Sequence, residues 1–323
     1  QEIKERLDIV EVIGDFVSLK KSGSSYKALS PFTSEKTPSF FVSPSKQIFK
    51  CFSTGKGGDA IEFLKEVESM SYVESLKYLA EKYGVEIEDS DDYSPQNTEK
   101  ESLLIILSRA NEFFMNNLKT ESGQNFAMTY LDHRGVNTDM IKKFNIGYSI
   151  EDWDSLLKHL IKNGFDEALI EKAGLIIVKD NKKYDRFRNR LMFPIHNITG
   201  KVIAFGARQI KEEKKQPKYI NSPETLLYIK SDILYGLYQS KNEIRKEDKC
   251  YLVEGYTDVI SLYQIGINNV VSSSGTSLTN GQIKLLSRYT KNITILYDGD
   301  EAGLNASLRG MDLILENDLN VKI

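Results

Sequence analysis

Acidic residues stand directly after two apolar runs in the last quarter of the sequence. Glu254 follows the run 251–253, and Asp298 and Asp300 follow the run 293–297. Each run is typical of a buried strand, and ligands of open α/β sheets bind beyond the carboxyl ends of the strands. The three carboxylates would share one volume, where their repulsion favours Mg²⁺ or Mn²⁺, cations that prefer hard oxygen ligands. Because substrate phosphates usually complete the coordination of such ions, the spacing predicts phosphoryl-transfer chemistry.

Alternating strand and helix patterns surround these carboxylates. A third apolar run, 269–272, lies between the two acidic ones, and helical patterns over 259–266, 282–289 and 302–316 follow the three runs in turn. This alternation predicts a parallel sheet with polar residues at its strand ends. Asp258 falls in the first turn of the first helix, where two roles are open. It would be either a further carboxylate of the metal site or a cap for the local backbone.

Positive charge is concentrated in the middle of the chain, although the formal net charge is −3. The segment 182–218 contains eleven Lys or Arg residues against three acidic ones, a balance of +8. Arg186, Arg188 and Arg190 alternate with other residues, so we expect one strand to present their guanidinium groups on one face. Guanidinium groups suit bidentate phosphate contacts, which indicates a surface for nucleic acid or nucleotides.

The first 88 residues have the pattern of a small domain. Strand patterns occur near Tyr26, at 40–42 and at 48–49, and two helical patterns follow between 60 and 83. The acidic, proline-containing segment 89–98 is typical of a linker. Together with the βα alternation near the end, these patterns divide the chain into segments 1–88, 89–98, 99–245 and 246–323.

Composition argues against secreted and membrane classes. The chain has 323 residues, enough for two or three domains, and no apolar run approaches the roughly 18 residues that a membrane helix needs. Cys51 and Cys250, the only two cysteines, are far apart in sequence and suit a reducing compartment. We therefore expect a soluble, cytoplasmic protein with no membrane partner.

Three motifs together resemble the Toprim domain, the metal-binding fold of bacterial primases, several topoisomerases and nucleases. They read Val253-Glu-Gly-Tyr-Thr-Asp258, Ser274-Gly-Thr276 and Tyr297-Asp-Gly-Asp-Glu-Ala-Gly303. Five further segments resemble the DnaG-type bacterial DNA primases, in order over nearly the whole chain. They are Tyr26-Lys-Ala-Leu-Ser-Pro-Phe32, Glu35-Lys-Thr-Pro-Ser-Phe40, Asp185-Arg-Phe-Arg-Asn-Arg-Leu-Met-Phe-Pro-Ile195, Gly206-Ala-Arg208 and Pro217-Lys-Tyr-Ile-Asn-Ser-Pro-Glu-Thr225.

The resemblance implies a multidomain α/β protein. Segment 1–88 would be a zinc-ribbon-like β domain with helices that binds template, and 89–98 a linker. Segment 99–245 would be a mixed α+β basic subdomain of the RNA polymerase core. Segment 246–323 would be a Rossmann-like Toprim subdomain with a parallel sheet, truncated at its C-terminus.

The implied reaction is template-directed synthesis of short RNA primers. A ribonucleotide 3′-hydroxyl would attack the α-phosphate of an incoming triphosphate, with Mg²⁺ or Mn²⁺ stabilising the charge that develops on the attacking and leaving oxygens. Glu254 would lie nearest the chemistry, as general base or as ligand. Asp298 and Asp300 would hold the metal, with Asp258 supporting the cluster. The predicted nucleotide- and template-binding residues are Arg134, Arg186, Arg188, Arg190, Arg208, Lys218, Asn221 and Lys230.

The first domain departs from the family at its zinc site. Family ligands are spaced Cys-x2-His and then Cys-x2-Cys, and the matching positions here are Ser30, Thr33, Cys51 and Thr54. Structural zinc takes four Cys or His ligands, and residues 1–100 contain one Cys and no His, so we expect no zinc. Because structural zinc supplies about 10–16 kcal/mol in zinc-finger peptides, packing must offset its loss. The candidates are Phe32, Phe40, Phe41, Phe49 and Phe52.

The resemblance implies three partners: single-stranded DNA template, ribonucleoside triphosphates and a replicative helicase. On the ribbon, aromatic residues beside lysines (Phe49-Lys50 and Lys56) would stack on bases and neutralise phosphates. The helicase would bind through a C-terminal region that lies outside this sequence. The family has a further acidic cluster beyond the strand that would start near Ile323, which leaves open whether this chain alone is active.

Two other functions stay open. A Toprim-type nuclease or topoisomerase would use the same carboxylates to cleave phosphodiesters, although the primase-like central segments argue against it. A catalytically silent module for binding single-stranded DNA is the second alternative. Clustered carboxylates without a metal would hinder DNA binding, which argues against that module. Adding Mg²⁺ at constant ionic strength should tighten single-strand binding by an enzyme and leave binding by the silent module unchanged.

Overall fold

The N-terminal part of the chain forms a five-stranded antiparallel sheet with accompanying helices. The computed structural model describes residues 3, 6–33, 35–68, 70, 72–85, 95–180, 182–211, 216–275 and 277–323. In sheet order the strands are β1 (Lys20–Ser22), β2 (Ser25–Ala28), β3 (Phe40–Ser43), β4 (Ile48–Cys51) and β5 (Gly57–Gly58). The helices of this domain are α1 (Ile9–Gly14), α2 (Ala60–Glu68) and α3 (Tyr72–Tyr83).

Alternation along β3 and β4 gives this sheet one buried face. Phe40 and Val42 are buried in β3, and Phe49 and Cys51 are buried in β4, while the residues between them are more accessible. The rings of Phe40 and Phe49 stack with centroids 5.4 Å apart, and Phe63 from α2 packs edge-on at 5.5 Å from Phe49. Aromatic rings bury large apolar areas, so Phe40 and Phe49, two of the five aromatic residues named from the sequence, contribute to the core of this domain.

A long helix opens the central section. Helix α4 (Pro95–Asn117) begins inside the predicted linker 89–98, whose residues 89–94 lie outside the described part of the chain. Proline is favoured at a first helical position because its missing N–H would have no partner there. None of the helices in the described ranges combines the length and apolar character that a membrane span requires.

The central section is built on an antiparallel sheet of order β11-β10-β9-β6. Its two long strands are buried nearly throughout, because α4 covers one face and the last section of the chain covers the other. The helical elements are a π-helical turn (Gly123–Met128), α5 (Thr129–His133), α6 (Thr138–Lys143), α7 (Ser155–Lys162) and α8 (Glu167–Lys172). The strands are β6 (Gly147–Ser149), β7 (Ile176–Lys179), β8 (Lys182–Asp185), β9 (Arg190–His196), β10 (Val202–Gln209) and β11 (Tyr219–Asn221), with β7 and β8 paired separately.

The last section is the predicted parallel sheet, in the order β13-β12-β14-β15. Its elements are a 3₁₀ turn (Lys230–Asp232), α9 (Leu237–Glu247), β12 (Cys250–Val253), α10 (Tyr256–Gln264), β13 (Val270–Ser272), α11 (Asn280–Ser287), β14 (Asn292–Ile295), α12 (Glu301–Glu316) and β15 (Asn320–Lys322). The three helices predicted after the apolar runs are therefore confirmed, each within a few residues of its predicted bounds.

The N-terminal domain packs at the amino ends of the parallel strands. A cleft of about 470 Å³ separates the two and is lined by Ser30 on one side and by Asp248, Lys291 and Asp318 on the other. Lys291 directly precedes β14, and Asp248 and Asp318 lie two residues before the first residues of β12 and β15. The predicted acidic site is at the opposite edge of the sheet, where the strands end.

Candidate functional site

Two acidic segments meet at the carboxyl edge of the parallel sheet. Glu254 follows β12, and its Oε1 accepts a hydrogen bond from the backbone N–H of Asp298 at 3.0 Å. Asp300 is the N-cap of α12, and its Oδ1 accepts from the N–H of Gly303 at 2.7 Å. Glu254 and Asp300 line the same cavity of about 350 Å³. The loop after β14 thus folds back onto the end of β12 and brings these carboxylates together.

Glycine at position 303 makes this close approach possible. A Cβ atom there would stand 2.2 Å from the carbonyl oxygen of Asp298 and 2.9 Å from Oε1 of Glu254. Real Cβ atoms do not approach backbone atoms so closely, because the overlap would force the loop outward. The first turn of α12 is therefore able to pack under the acidic loop only without a side chain at Gly303.

Asp258 caps the local backbone, and its support of the metal cluster stays a prediction. Its Oδ2 accepts from the backbone N–H of Gly255 at 2.9 Å, which caps the start of α10. Partial desolvation raises the pKa of Asp258, and the negative charge of Asp298 adds to the rise. The Gly255 hydrogen bond and the positive charge of Arg208 act in the opposite direction. The carboxyl of Asp258 therefore lies within electrostatic range of both the acidic loop and the basic strand β10.

The acidic residues share an edge without forming a preformed cage. Within the described ranges, no group of three or more His, Cys, Asp or Glu side chains is arranged to hold a metal ion. The donor set still has the right chemistry, since Mg²⁺ binds oxygen ligands and usually takes only one or two carboxylates besides water and phosphates. The assignment of Glu254, Asp298 and Asp300 as metal ligands stays a prediction.

A row of arginines and tyrosines runs beside the acidic edge. The guanidinium of Arg208 in β10 lies over the rings of Tyr130 and Tyr219, 5.3 and 5.2 Å from their centroids, and its Nη1 donates to the Tyr219 hydroxyl at 2.6 Å. Arg134 approaches Tyr130 from the other side, with its Nε 3.1 Å from the Tyr130 hydroxyl. Arg134 is exposed, whereas Arg208 is buried. Tyr130 links the two predicted arginines.

Asn221 and Lys230 meet against the same surface. The Asn221 amide lies 2.7 Å from the Tyr256 hydroxyl, and in the orientation that satisfies both of its ends its oxygen accepts from Lys230 Nζ at 3.2 Å. The Tyr256 ring packs on β10 at Gly206, where an added Cβ would stand 2.2 Å from the ring. Because Tyr256 opens the helix after Glu254, this contact joins the parallel sheet to the central sheet.

The prediction that Arg186, Arg188 and Arg190 share one strand is wrong. Strand β8 ends at Asp185 and β9 begins at Arg190, so 186–189 form the irregular connection between two strands of different sheets. The alternation of arginine with Phe187 reflects a connection that buries one aromatic ring, rather than a strand with two faces.

The three arginines consequently have different environments. Arg190 is buried, and its guanidinium donates to the carbonyl oxygens of Pro217 and Lys218 at 3.0 and 3.3 Å. Arg190 therefore stabilises the chain segment that precedes β11. Its predicted contact with template has no structural support. Burial lowers the pKa of Arg186, whose Nε has no hydrogen-bond partner within the described ranges. Lys218 itself is exposed.

Trp153 is a candidate that the sequence analysis missed. It is 53% exposed, and the Arg188 guanidinium lies over its ring at 4.6 Å and over Tyr184 at 5.0 Å. Trp153, Arg186 and Arg188 line one groove of about 510 Å³, together with Lys211. Thirty residues separate this tryptophan from the arginines, so only its being the single Trp of the chain could have drawn attention to it.

Two of the four positions that match the family's zinc ligands, Ser30 and Cys51, lie in one polar cluster of the first domain. Cys51 is fully buried, and its Sγ lies 3.2 Å from Ser30 Oγ and 3.3 Å from Ser53 Oγ, while Thr33 is exposed. Burial by itself would raise the pKa of Cys51, but hydrogen bonds with Ser30, Ser53 and Thr54 outweigh it and lower the pKa to about 7. One thiol among hydroxyl groups does not fit the tetrahedral Cys and His set of structural zinc.

The aromatic residues on the outer face of the ribbon are not the ones that the sequence predicted. Phe49 is buried and unable to stack on a base, and Lys56 lies over the ring of Phe32. Phe52 is instead 69% exposed and packs edge-on against Phe41 at 5.6 Å, so its predicted place in the core is wrong. Phe41 pairs across the sheet with Lys27 and Lys50, which puts an aromatic residue between two lysines on this face.

Comparison with known proteins gives the family of each section. Residues 1–95 match the CHC2 zinc finger, residues 113–241 the N-terminal domain of the DNA primase catalytic core, and residues 251–323 a Toprim-like domain. The Aquifex aeolicus primase, solved with its zinc-binding and RNA polymerase domains, is 40% identical. The alignment covers 99% of this chain and 77% of that one, with a TM-score of 0.65. The chain belongs to the DnaG-type bacterial DNA primases.

Two further primases define how far the likeness extends. The DNA primase of Clostridium acetobutylicum is 44% identical over 326 residues, which cover all of this chain and 54% of that protein. A DnaG primase catalytic domain bound to single-stranded DNA is 37% identical, with a TM-score of 0.63 and 68% of each chain covered. The chain thus spans about half the length of the curated primases that it matches.

Proposed function

We propose that this chain is the template-binding and catalytic region of a primase that copies single-stranded DNA into short RNA primers. The observation that carries the proposal is the meeting of the acidic edge with the arginine and tyrosine row. The ring centroid of Tyr256, two residues after Glu254, lies 6.2 Å from that of Tyr219, whose hydroxyl accepts a hydrogen bond from Arg208. Nucleotidyl transfer needs carboxylates for a metal and cations for phosphates in one place. We also propose that the domains and the linker between them end at residues 88, 98 and 245.

The residues present suit a magnesium-dependent reaction. Glu254, Asp298 and Asp300 are the groups that would hold Mg²⁺ or Mn²⁺. When bound, the ion would stabilise negative charge on the reacting phosphate. The chain's own contribution is to hold the carboxylates: the Asp298 N–H restrains Glu254, and the Gly303 N–H restrains Asp300. We further propose that Arg134 and Lys218, which are exposed, and Lys230, which is half-buried, bind the phosphates of triphosphate and template.

The groove with Trp153 is proposed as part of the template path. An exposed indole beside a guanidinium offers a surface on which a base stacks, with a positive charge for the adjacent phosphate. The catalytic domain of a related primase binds single-stranded DNA, which is consistent with this role. On the ribbon, Phe41 lies between Lys27 and Lys50 with the exposed Phe52 packed against it, which offers a similar combination.

Three parts of the proposal concern partners and cofactors. Zinc is proposed to be absent, although the ribbon matches a zinc-finger family, because the donor set is wrong. A replicative helicase would act through sequence beyond the part that this chain shares with its relatives. We propose the bacterial cytoplasm, where replication takes place, as the location of the protein.

Labelled ribonucleotide incorporation on a single-stranded template tests the proposal. It should be measured with Mg²⁺ and with Mn²⁺, on this chain and on a version lengthened to the span of the related primases. We expect template-dependent oligoribonucleotides, and a loss of at least roughly 100-fold in Glu254→Gln, on the scale of removing one group that stabilises transition-state charge. Glu301→Gln is the matched control, because Glu301 is an exposed acid in the adjacent turn of α12.

The outcomes separate the candidate functions. Product from the unmodified protein and from Glu301→Gln, lost in Glu254→Gln while template binding is retained, would support a primase. The absence of product from every version with template binding intact would contradict it and favour the silent binding module. Cleavage of the template would favour the nuclease.

A further inference from the structure

The two loops that carry the former zinc positions are joined by a chain of hydrogen bonds that uses no metal. Glu35 stands at its centre, between the loop at 30–33 and the start of β3. Its Oε1 accepts from the backbone N–H groups of Ser30 at 2.7 Å and of Ser39 at 3.0 Å. Its Oε2 accepts from the Ser39 hydroxyl at 2.6 Å. One carboxylate therefore holds three donors from the two ends of the connection between β2 and β3.

The chain continues from Ser39 to the second loop. Ser39 Oγ lies 2.8 Å from Ser53 Oγ, and the Ser39 carbonyl oxygen accepts from the N–H of Phe52 at 2.9 Å. A direct link also exists, because Cys51 Sγ donates to Ser30 Oγ at 3.2 Å. The first loop is thus connected to the second by two routes, one through Glu35 and Ser39 and one through Cys51.

We infer that this network, centred on the Glu35 carboxylate, replaces the metal as the cross-link between the two loops of the ribbon. A structural zinc joins two such loops through four ligands. Here hydrogen bonds to an ionised acceptor join them, and such bonds are the stronger class in proteins. The inference concerns how the ribbon is held together and is independent of the proposed polymerase activity.

The position of Cys51 makes the cross-link measurable. Cys51 is buried inside the network, so an alkylating reagent reaches it only when the loops separate. Cys250, in β12 of the parallel sheet, is equally buried and reports opening of the rest of the molecule. The two thiols are distinguished by mass spectrometry of the peptides after labelling with iodoacetamide.

The experiment compares the full chain with Glu35→Gln and Ser39→Ala, each with and without EDTA, and includes metal analysis of the purified protein. Glutamine keeps the size of Glu35 but loses one acceptor and the charge, and Ser39→Ala removes the hydroxyl that joins the two loops. Glu62→Gln is the control, since Glu62 is an acid of the same domain whose carboxylate pairs with Lys65 instead of with a residue of the network. We expect no zinc, no effect of EDTA, and labelling of Cys51 faster by roughly ten- to a hundredfold in both network variants.

Two results would overturn the inference. One is a stoichiometric zinc ion whose removal by EDTA exposes Cys51. The other is unchanged protection of Cys51 in both Glu35→Gln and Ser39→Ala. If Glu35→Gln does not accumulate as folded protein, Ser39→Ala decides by itself, because it leaves the carboxylate and both backbone donors in place. In whichever of the two variants is used to judge the inference, Cys250 should be labelled at the wild-type rate.

Discussion

Among single residues, Gly303 has the most direct effect on the geometry of the acidic site. We expect Gly303→Ala to lower the free energy of unfolding by about 1–3 kcal/mol, the usual cost of overpacking, and to reduce nucleotide incorporation. The physical reason is the 2.2 Å distance between the added Cβ and the Asp298 carbonyl oxygen. Denaturant unfolding and the incorporation assay measure the two effects.

Gly299→Ala is the matched control for that substitution. Gly299 lies in the same loop, but an added Cβ there would meet no atom within 4 Å. Its stability and activity should remain close to those of the unmodified protein. Equal losses in both variants would show that the loop needs flexibility at any glycine, and would contradict the argument from close approach.

His196 makes stability depend on pH. Burial lowers its pKa from 6.5 to about 4, so the folded protein disfavours the protonated ring. The unfolded chain takes up the proton first, and stability should fall as the pH falls from about 6.5 towards 4, by about 3 kcal/mol in total. In His196→Gln this part of the pH dependence should be absent. Urea unfolding of both proteins between pH 7.5 and 5 tests this prediction. The prediction would be wrong if the free energy of unfolding changed with pH in the same way in both proteins.

Among the structural elements, the segment between β6 and α7, which carries Trp153, has the strongest predicted effect on template binding. Trp153→Ala should weaken single-stranded DNA binding by about 1–3 kcal/mol, the range measured for one stacked base. The fold should be unaffected, because the indole is half exposed. Fluorescence anisotropy of a labelled oligonucleotide at fixed salt measures the change.

Tyr72→Ala provides the comparison for an exposed aromatic outside this groove. Tyr72 is 52% exposed, close to the 53% of Trp153, and lies at the start of α3 in the first domain. Its loss should leave the affinity within about twofold, since surface substitutions of this kind usually change free energies by less than 0.5 kcal/mol. An unchanged affinity of Trp153→Ala would remove the groove from the template path.

For the molecule as a whole, Arg245 joins the first domain to the parallel sheet. It is largely buried, donates a hydrogen bond to the carbonyl oxygen of Asp15, and lies 4.8 Å from the centroid of the Tyr289 ring. Desolvation lowers its pKa, while nearby Tyr289 and Asp15 act in the opposite direction. Its removal should cost roughly 1–3 kcal/mol of domain packing.

Hydrogen exchange of α1 and α11 in Arg245→Ala measures the loosening of this contact. We expect faster exchange in the segments that face each other across the interface, with little change in β9 and β10. Lys246→Ala is the control, because Lys246 is exposed and forms its ion pairs with Glu243 and Glu247 of the same helix, α9. Equal exchange in all three proteins would mean that the apolar contacts alone hold the domain.

The sequence by itself determined where the strands and helices of the parallel sheet lie and which carboxylates stand at its edge. Glu254, Asp298 and Asp300 could be assigned to strand ends because apolar runs, turn residues and helical periodicity are local patterns, and parallel topology fixes the edge at which the strands end. The loss of the zinc ligands was equally readable, since ligand identity is a matter of residue type.

Only the tertiary structure decided which polar groups face each other. The alternation of Arg186, Arg188 and Arg190 suggested a strand, but pairing partners elsewhere in the chain made it a connection between two sheets and buried Arg190. Trp153 reaches Arg188, and Cys51 reaches Ser30, through folding of separate segments. Such contacts depend on burial and distance between segments, which single-sequence periodicity does not contain, whereas strand ends depend on short-range patterns that it does.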